Sequence, residues 1–175
     1  MTEPFRGAPH TVEHIKKFAI AGQMLVRPLA EDIVGHLQSK DYLSEILAIY
    51  YWVCTHTRYA NDPRTIELVR GPVAVLARLE RNVAQLRSGK SLPSLDCDDL
   101  STLLAALFLS LGREVRIVTV AFRNAFYNGQ RQYQHVYIQV REPRSLQWIV
   151  LDPVAADMTG DMLRKVKAVK IWAVA

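Results

Sequence analysis

A change of hydrophobic period near residue 112 constrains this chain more than any other feature. Before it, Leu100, Leu103, Leu104, Leu107, Phe108 and Leu111 recur at the 3.6-residue spacing of a buried helical stripe, and Gly112 is a natural stop. After it, Tyr133-Gln134-His135-Val136-Tyr137-Ile138-Gln139-Val140 alternates with period two, and Trp148-Ile149-Val150-Leu151-Asp152 reads as a strand that Pro153 ends. Strands are expected at about 114–123, 132–140 and 146–152, with Asn128-Gly129 turning the chain between the first two and a last strand within 165–174. Upstream, helices are expected at about 11–24, 28–39 and 42–58, the third capped by Asp41. Another is expected at 72–88, with Pro72 in its first turn and Val75, Leu76, Leu79, Val83 and Leu86 on its inner face. Residues 88–94 read as a loop. Helices first and antiparallel strands afterwards make the fold class α+β: N-terminal helices, then a cysteine-bearing central helix packed on an antiparallel sheet. Residues 1–10, with Pro4, Gly7 and Pro9, read as a loose arm, and 11–175 as a single domain.

The last two of these three strands fit an antiparallel hairpin. If Val140 faces Gln147, paired residue numbers sum to 287, so that Ile138 meets Ile149, Val136 meets Leu151 and His135 meets Asp152. One face then carries Val136, Ile138, Val140, Ile149 and Leu151, apolar as a buried face must be, and a one-residue slip would scramble it. Opposed side chains have Cβ atoms roughly 4.5–5.5 Å apart, close enough for a carboxylate to hold an imidazole.

Cys97 lies in Asp96-Cys97-Asp98-Asp99, at the expected start of the central helix. A thiol there, followed by a His and an acid on later strands, is the layout a cysteine nucleophile needs: a base beside the sulfur and a group that orients the base. Unpaired amides and the helix dipole favour a thiolate at this position, while the three neighbouring carboxylates oppose it. A reactive thiolate is therefore expected to depend on an ion pair with His135. Taken singly, Cys97 reads as a small buried hydrophobe, His135 as a packed strand residue and Asp152 as a turn residue; their order and the register join them. Asp96, Asp98 and Asp99 offer three oxygens within four residues without further spaced donors, a poor cation site, so neither metal nor cofactor is expected. His10, His14, His36 and His56 lack metal-ligand spacing, and Cys54 reads as core.

These motifs carry a resemblance. Asp96-Cys97-Asp98-Asp99 with Leu103-Leu104-Ala105-Ala106-Leu107 and Leu111-Gly112 resembles the core of the transglutaminase-like superfamily of papain-type cysteine enzymes. His135-Val136, and Trp148 leading to Leu151-Asp152-Pro153, are similar to its second and third motifs. Trp52-Val53, Arg58-Tyr59, Asp62, Glu67-Leu68-Val69 and Pro72 look like the helical lead-in of small bacterial and prophage-encoded members. The likeness covers about residues 40–160. It implies Cys97 as nucleophile, His135 as base, Asp152 as orienter, the Cys97 N–H as oxyanion donor, and Trp52 or Tyr59 as an additional side chain there. It implies a cysteine-dependent acyl-transfer enzyme acting on amide bonds of a protein or peptide substrate. Water is the expected acceptor, since it needs no second site, which makes a protease or amidase rather than a transglutaminase. The superfamily also has inactive members, and the alternative it implies is a non-catalytic binding module or a phage-particle structural or assembly protein.

Composition limits the remaining choices. Half the 175 residues are apolar, which excludes a disordered chain, and no run approaches the roughly 18 apolar residues of a membrane helix. Two cysteines and a start without a basic-then-apolar leader lead us to expect a reduced, cytoplasmic protein. The net charge of +5 is modest, and its arginines at 113, 116, 123, 131, 141 and 144 read as a charged sheet edge; no nucleic-acid motif accompanies them, and no nucleic-acid or membrane partner is expected.

Overall fold

One apolar stripe sets the length of the first helix. In the computed structural model, which describes residues 8–59, 70–77, 94–127, 129–154 and 165–174, helix α1 spans Ala8–Val34. Val12, Ile15, Ala19, Val26, Ala30 and Ile33 are buried along it, with Gly22 completing the spacing. The break expected at Pro28 does not occur: helices 11–24 and 28–39 are one helix, which ends at Val34. The stripe continues on both sides of Pro28, and burying side chains such as Val26 and Ile33 contributes roughly 1.5–3 kcal/mol each, offsetting the ~3 kcal/mol of an interior proline. Pro28 and Met24 both face outward, so water can satisfy the carbonyl freed at Met24. Residues 8–10 form the first turn of α1; the rest of the expected arm, residues 1–7, lies outside the described residues.

Helix α2 (Tyr42–His56) starts where Asp41 predicts it: the Asp41 carboxylate accepts from the Ser44 backbone N–H at 3.3 Å and the Ser44 hydroxyl at 2.7 Å. It ends two residues early, because Arg58–Tyr59 form a short strand, β1, paired in parallel with β2 (Ser94–Leu95). That pairing was not legible in a stretch read as helix end and loop. Residues 72–77 are helical with Val75 buried, while Leu79, Val83, Leu86 and residues 88–93 lie outside the described residues. Helix α3 (Cys97–Ser110) closes with Gly112 at φ +70°, where Gly112 N–H donates to Leu109 O and Arg113 N–H to Phe108 O.

Four strands form the main sheet, in the order β7–β6–β3–β8, each antiparallel to its neighbours: β3 is Val115–Ala121, β6 His135–Arg141, β7 Trp148–Leu151 and β8 Ala168–Ala173. The expected last strand is thus β8. A small ribbon, β4 (Phe126–Tyr127) and β5 (Gln130–Arg131), turns through Gly129 at φ +75°. Val115, Ile117, Val136, Ile138, Val140 and Leu151 face the core, where Leu100, Leu103, Leu104, Leu107 and Phe108 meet them. Helix α1 packs against α3, whose other side lies on the sheet, so α3 is buried almost all round. Among the described residues, no helix is long and apolar enough to cross a membrane.

The hairpin register differs from the expected one. Arg141 pairs with Trp148, Val140 with Ile149 and Ile138 with Leu151, so paired numbers sum to 289, not 287. The turn is the reason. Glu142 and Gln147 are bridged by a 2.9 Å backbone bond, Leu146 takes the left-handed conformation at φ 58°, and the Glu142 carboxylate accepts backbone N–H groups of Arg144 and Ser145. The Ser145 side-chain hydroxyl first, and then the Arg144 and Ser145 N–H groups, hold the Glu142 carboxyl below the usual range. Strand β6 therefore runs one residue further than expected. Because the shift is two residues, every side chain keeps its face.

The cations of the sheet end are engaged within the chain. Arg113 pairs with Glu45, Arg141 with Glu114, and Arg116 donates to Gln139 at 2.6 Å while lying 4.1 Å above the Trp148 ring.

Gly22 is where α1 meets the segment beginning at Pro72. A Cβ there would stand 2.2 Å from Pro72 Cγ, an atom of a rigid ring. Gly→Ala inside a helix ordinarily gains about 1 kcal/mol, but this overpacking costs about 1–3 kcal/mol. Gly22→Ala should therefore lower the midpoint of urea unfolding; a raised midpoint would show that residues 72–77 do not press on α1.

Candidate active site

The start of α3 is held from both directions. Asp96 is its N-cap, extended at φ −90° and ψ −175°, and Asp96 Oδ1 accepts the Asp99 N–H at 3.1 Å. Strand β2 delivers Asp96 and is itself paired to β1. Ser101, buried one turn on, donates its hydroxyl to Cys97 O at 2.6 Å and also lies 3.2 Å from Val136 O. This ties the first turn of α3 to the start of β6. The Cys97 thiol in turn takes a hydrogen bond from the Val136 backbone N–H, one residue from His135.

His135 opens β6 opposite Val120, with its side chain buried. Its Nε2 lies 2.8 Å from Asp152 Oδ2. An ionised carboxylate only accepts, so the Nε2 proton is the donor and Nδ1 of the neutral ring keeps its lone pair. Phe122 stacks on the imidazole at 6.4 Å between ring centroids, and the Tyr137 ring lies tilted to it at 5.9 Å. Asp152 stands just beyond β7. Its other oxygen, Oδ1, accepts the Val154 N–H at 3.0 Å across Pro153, and its backbone carbonyl accepts the Tyr50 hydroxyl at 3.0 Å. The observed register would set Asp152 opposite Tyr137 and make it a diagonal neighbour of His135, within reach of two such side chains.

The electrostatics oppose a resting thiolate. Burial pushes the Cys97 thiol well above its ordinary value, the Asp98 charge adds to this, and the Val136 N–H only partly counters it. These effects run against the ion pair with His135 expected from sequence. Asp96 is pushed up to about 10, by burial first and then by its hydrogen bond with Asp98. Asp98 Oδ2 is buried without a partner among the described residues. Burial also raises Asp99, against the Arg70 guanidinium on Oδ2 and the Arg70 N–H, which donates to Oδ1 at 2.8 Å. Asp96, Asp98 and Asp99 bring ligand atoms within 4.8 Å of one another. Both Asp99 oxygens are taken by Arg70, however, which leaves fewer oxygens open to a cation.

Of the upstream aromatics, Trp52 is half-buried on α2 and stacks on His56 at 4.4 Å between centroids. Tyr59, in β1, pairs with Leu95, two residues before Cys97. Cys54 is half-buried next to Tyr50, and burial raises its thiol too. Tyr50, Arg70 and Phe122 escaped the sequence reading, since nothing local marks contacts made across 102, 29 and 13 residues. Ser101, four residues after Cys97 on the same helix face, carried a usable signal.

Over residues 27–153 the sequence matches the transglutaminase-like superfamily. No curated protein matches it by sequence. Among solved structures, a provisionally assigned cysteine protease of Cytophaga hutchinsonii aligns with a TM-score of 0.50 and 17% identity, over 86% of this chain and 47% of that one. A provisionally assigned protease of Parabacteroides distasonis gives 0.50 and 12%, over 78% of this chain and 26% of that one. At such identities the likeness is one of fold, and this chain spans about half and a quarter of the two relatives.

Asp96 offers a test of its raised carboxyl. Its folded value, about 10, exceeds the ordinary 3.8, so the folded state binds more protons between these limits and stability falls as pH rises through them. Asn caps a helix as well as Asp and has nothing to titrate. The stability of Asp96→Asn relative to wild type, from urea unfolding, should therefore increase from pH 5 to pH 9, by up to about 1 kcal/mol per pH unit. An advantage independent of pH would mean that Asp96 is ionised in the folded protein.

Proposed function

The chain belongs to the transglutaminase-like superfamily, and from that premise we propose that it is a cysteine-dependent enzyme cleaving amide bonds of a protein or peptide substrate. The observation that carries this reading is the 2.8 Å contact of His135 Nε2 with Asp152 Oδ2, with the Cys97 thiol on the neighbouring Val136 N–H. In the proposed cycle His135 Nδ1 takes the thiol proton as Cys97 sulfur attacks the carbonyl carbon. The Cys97 N–H, at the positive end of α3, stabilises the oxyanion; Tyr59 or Trp52 is a further donor in this reading. Collapse breaks the C–N bond, the imidazolium protonates the leaving amine, and a thioester remains. Water then gives a proton to His135 and attacks the thioester, releasing acid and restoring the thiol. Asp152 keeps the imidazole in the tautomer that this sequence of transfers requires. A cytoplasmic, reducing setting belongs to the same reading.

One observation favours a second reading. Cys97 is partly buried, and burial together with the Asp98 charge raises its thiol, which suits a thiol with no catalytic task, as in a non-catalytic transglutaminase-like binding or phage-assembly protein.

Trapping an acyl-enzyme from a peptide library, with the acyl group read by mass spectrometry, separates the two. The enzyme reading expects a thioester on Cys97 that Cys97→Ser abolishes while far-UV circular dichroism is unchanged. His135→Ala should reduce turnover at least 100-fold, the usual worth of a general base, and Asp152→Asn should cost less. Without substrate, iodoacetamide should label Cys97 faster than Cys54 near neutral pH, and His135→Ala should erase that difference. Two equally slow thiols, unaffected by His135→Ala, would favour the binding module.

A further inference from the structure

Asp152 has more supports than a strand-ending acid needs. Pro153 follows it and offers no N–H, so the β6–β7 ladder stops at Leu151. The carbonyl of Asp152 is instead met by a helix distant in sequence: Tyr50, on α2, donates its hydroxyl at 3.0 Å. Both carboxylate oxygens of Asp152 are engaged, Oδ1 by the Val154 N–H and Oδ2 by His135. The Asp152 side chain is thus aimed by two contacts, one from the turn that follows it and one from α2.

We propose that Tyr50 is a positioning residue of the site, acting through the Asp152 carbonyl to aim the Asp152 carboxylate at His135. This rests on the catalytic reading of Cys97 and His135. With the hydroxyl removed, the Asp152 carbonyl loses this partner and the Val154 N–H still holds the carboxylate at Oδ1, which leaves the residue freer to carry Oδ2 off the line to Nε2. Burial raises the Tyr50 hydroxyl to about 12, so it remains a donor at any pH where the site would work. Cys54, one turn further on α2, lies beside the same hydroxyl. The contact thereby makes the orientation of the imidazole depend on the docking of α2.

A double-mutant cycle on the intact chain tests this, reading the iodoacetamide labelling rate of Cys97 by mass spectrometry across pH. Tyr50→Phe keeps the ring and deletes only the hydroxyl. It should slow Cys97 labelling about three- to tenfold, the effect of one neutral hydrogen bond, and shift its pH profile in the same direction as Asp152→Asn. In the Asp152→Asn background, where the carboxylate is already gone, Tyr50→Phe should add little. A side chain that merely stabilises the fold would change the unfolding midpoint and leave the ratio of rates alone. An equal slowing in both backgrounds, or no slowing in the wild type, overturns the role of Tyr50 and leaves the catalytic reading standing. If His135→Ala itself leaves Cys97 labelling unchanged, the catalytic reading fails, and the Tyr50 proposal fails with it.

Discussion

The burial of α3 on nearly every side is the constraint from which the site follows. Leu103, Leu104, Ala105, Ala106, Leu107 and Phe108 are all essentially inaccessible, because α1 covers one flank and the sheet the other. A helix held this way has no freedom to slide or roll without opening voids, and close-packed interiors resist that strongly. Its N-terminus is therefore a fixed point. Ser101 makes the fixing explicit at the one place where chemistry would need it, bridging the carbonyls of Cys97 and Val136. The sulfur and the imidazole thus start from adjacent points of two rigid elements.

The charge around that point works against reactivity. Three acids crowd the first turn; Arg70 engages Asp99, while burial and a hydrogen bond with Asp98 raise Asp96. Burial and the Asp98 charge also raise the Cys97 thiol, so in the catalytic reading its reactivity depends on His135. The relatives of known structure share the fold at 17% and 12% identity, which leaves these local details to this chain's own residues.

Amino-acid order by itself determined the α+β class, the buried stripe of α3 with its Asp96 and Gly112 ends, the capping of α2 by Asp41, and the faces of β6 and β7. All of these rest on local periodicity or on hydrogen bonds within a few residues. Tertiary structure decided the rest. Whether α1 passed through Pro28 depended on burial against α3, which no local preference for proline contains. The register moved from 287 to 289 because the Glu142 carboxylate and Leu146 built a tighter turn, and a strand's alternation is blind to a slip of two. The same blindness kept His135 and Asp152 on one face, so their contact survived as a diagonal one. Partners such as Tyr50 and Arg70 come from 102 and 29 residues away. Their contacts are consequences of packing, and only the folded chain brings those groups within hydrogen-bonding distance.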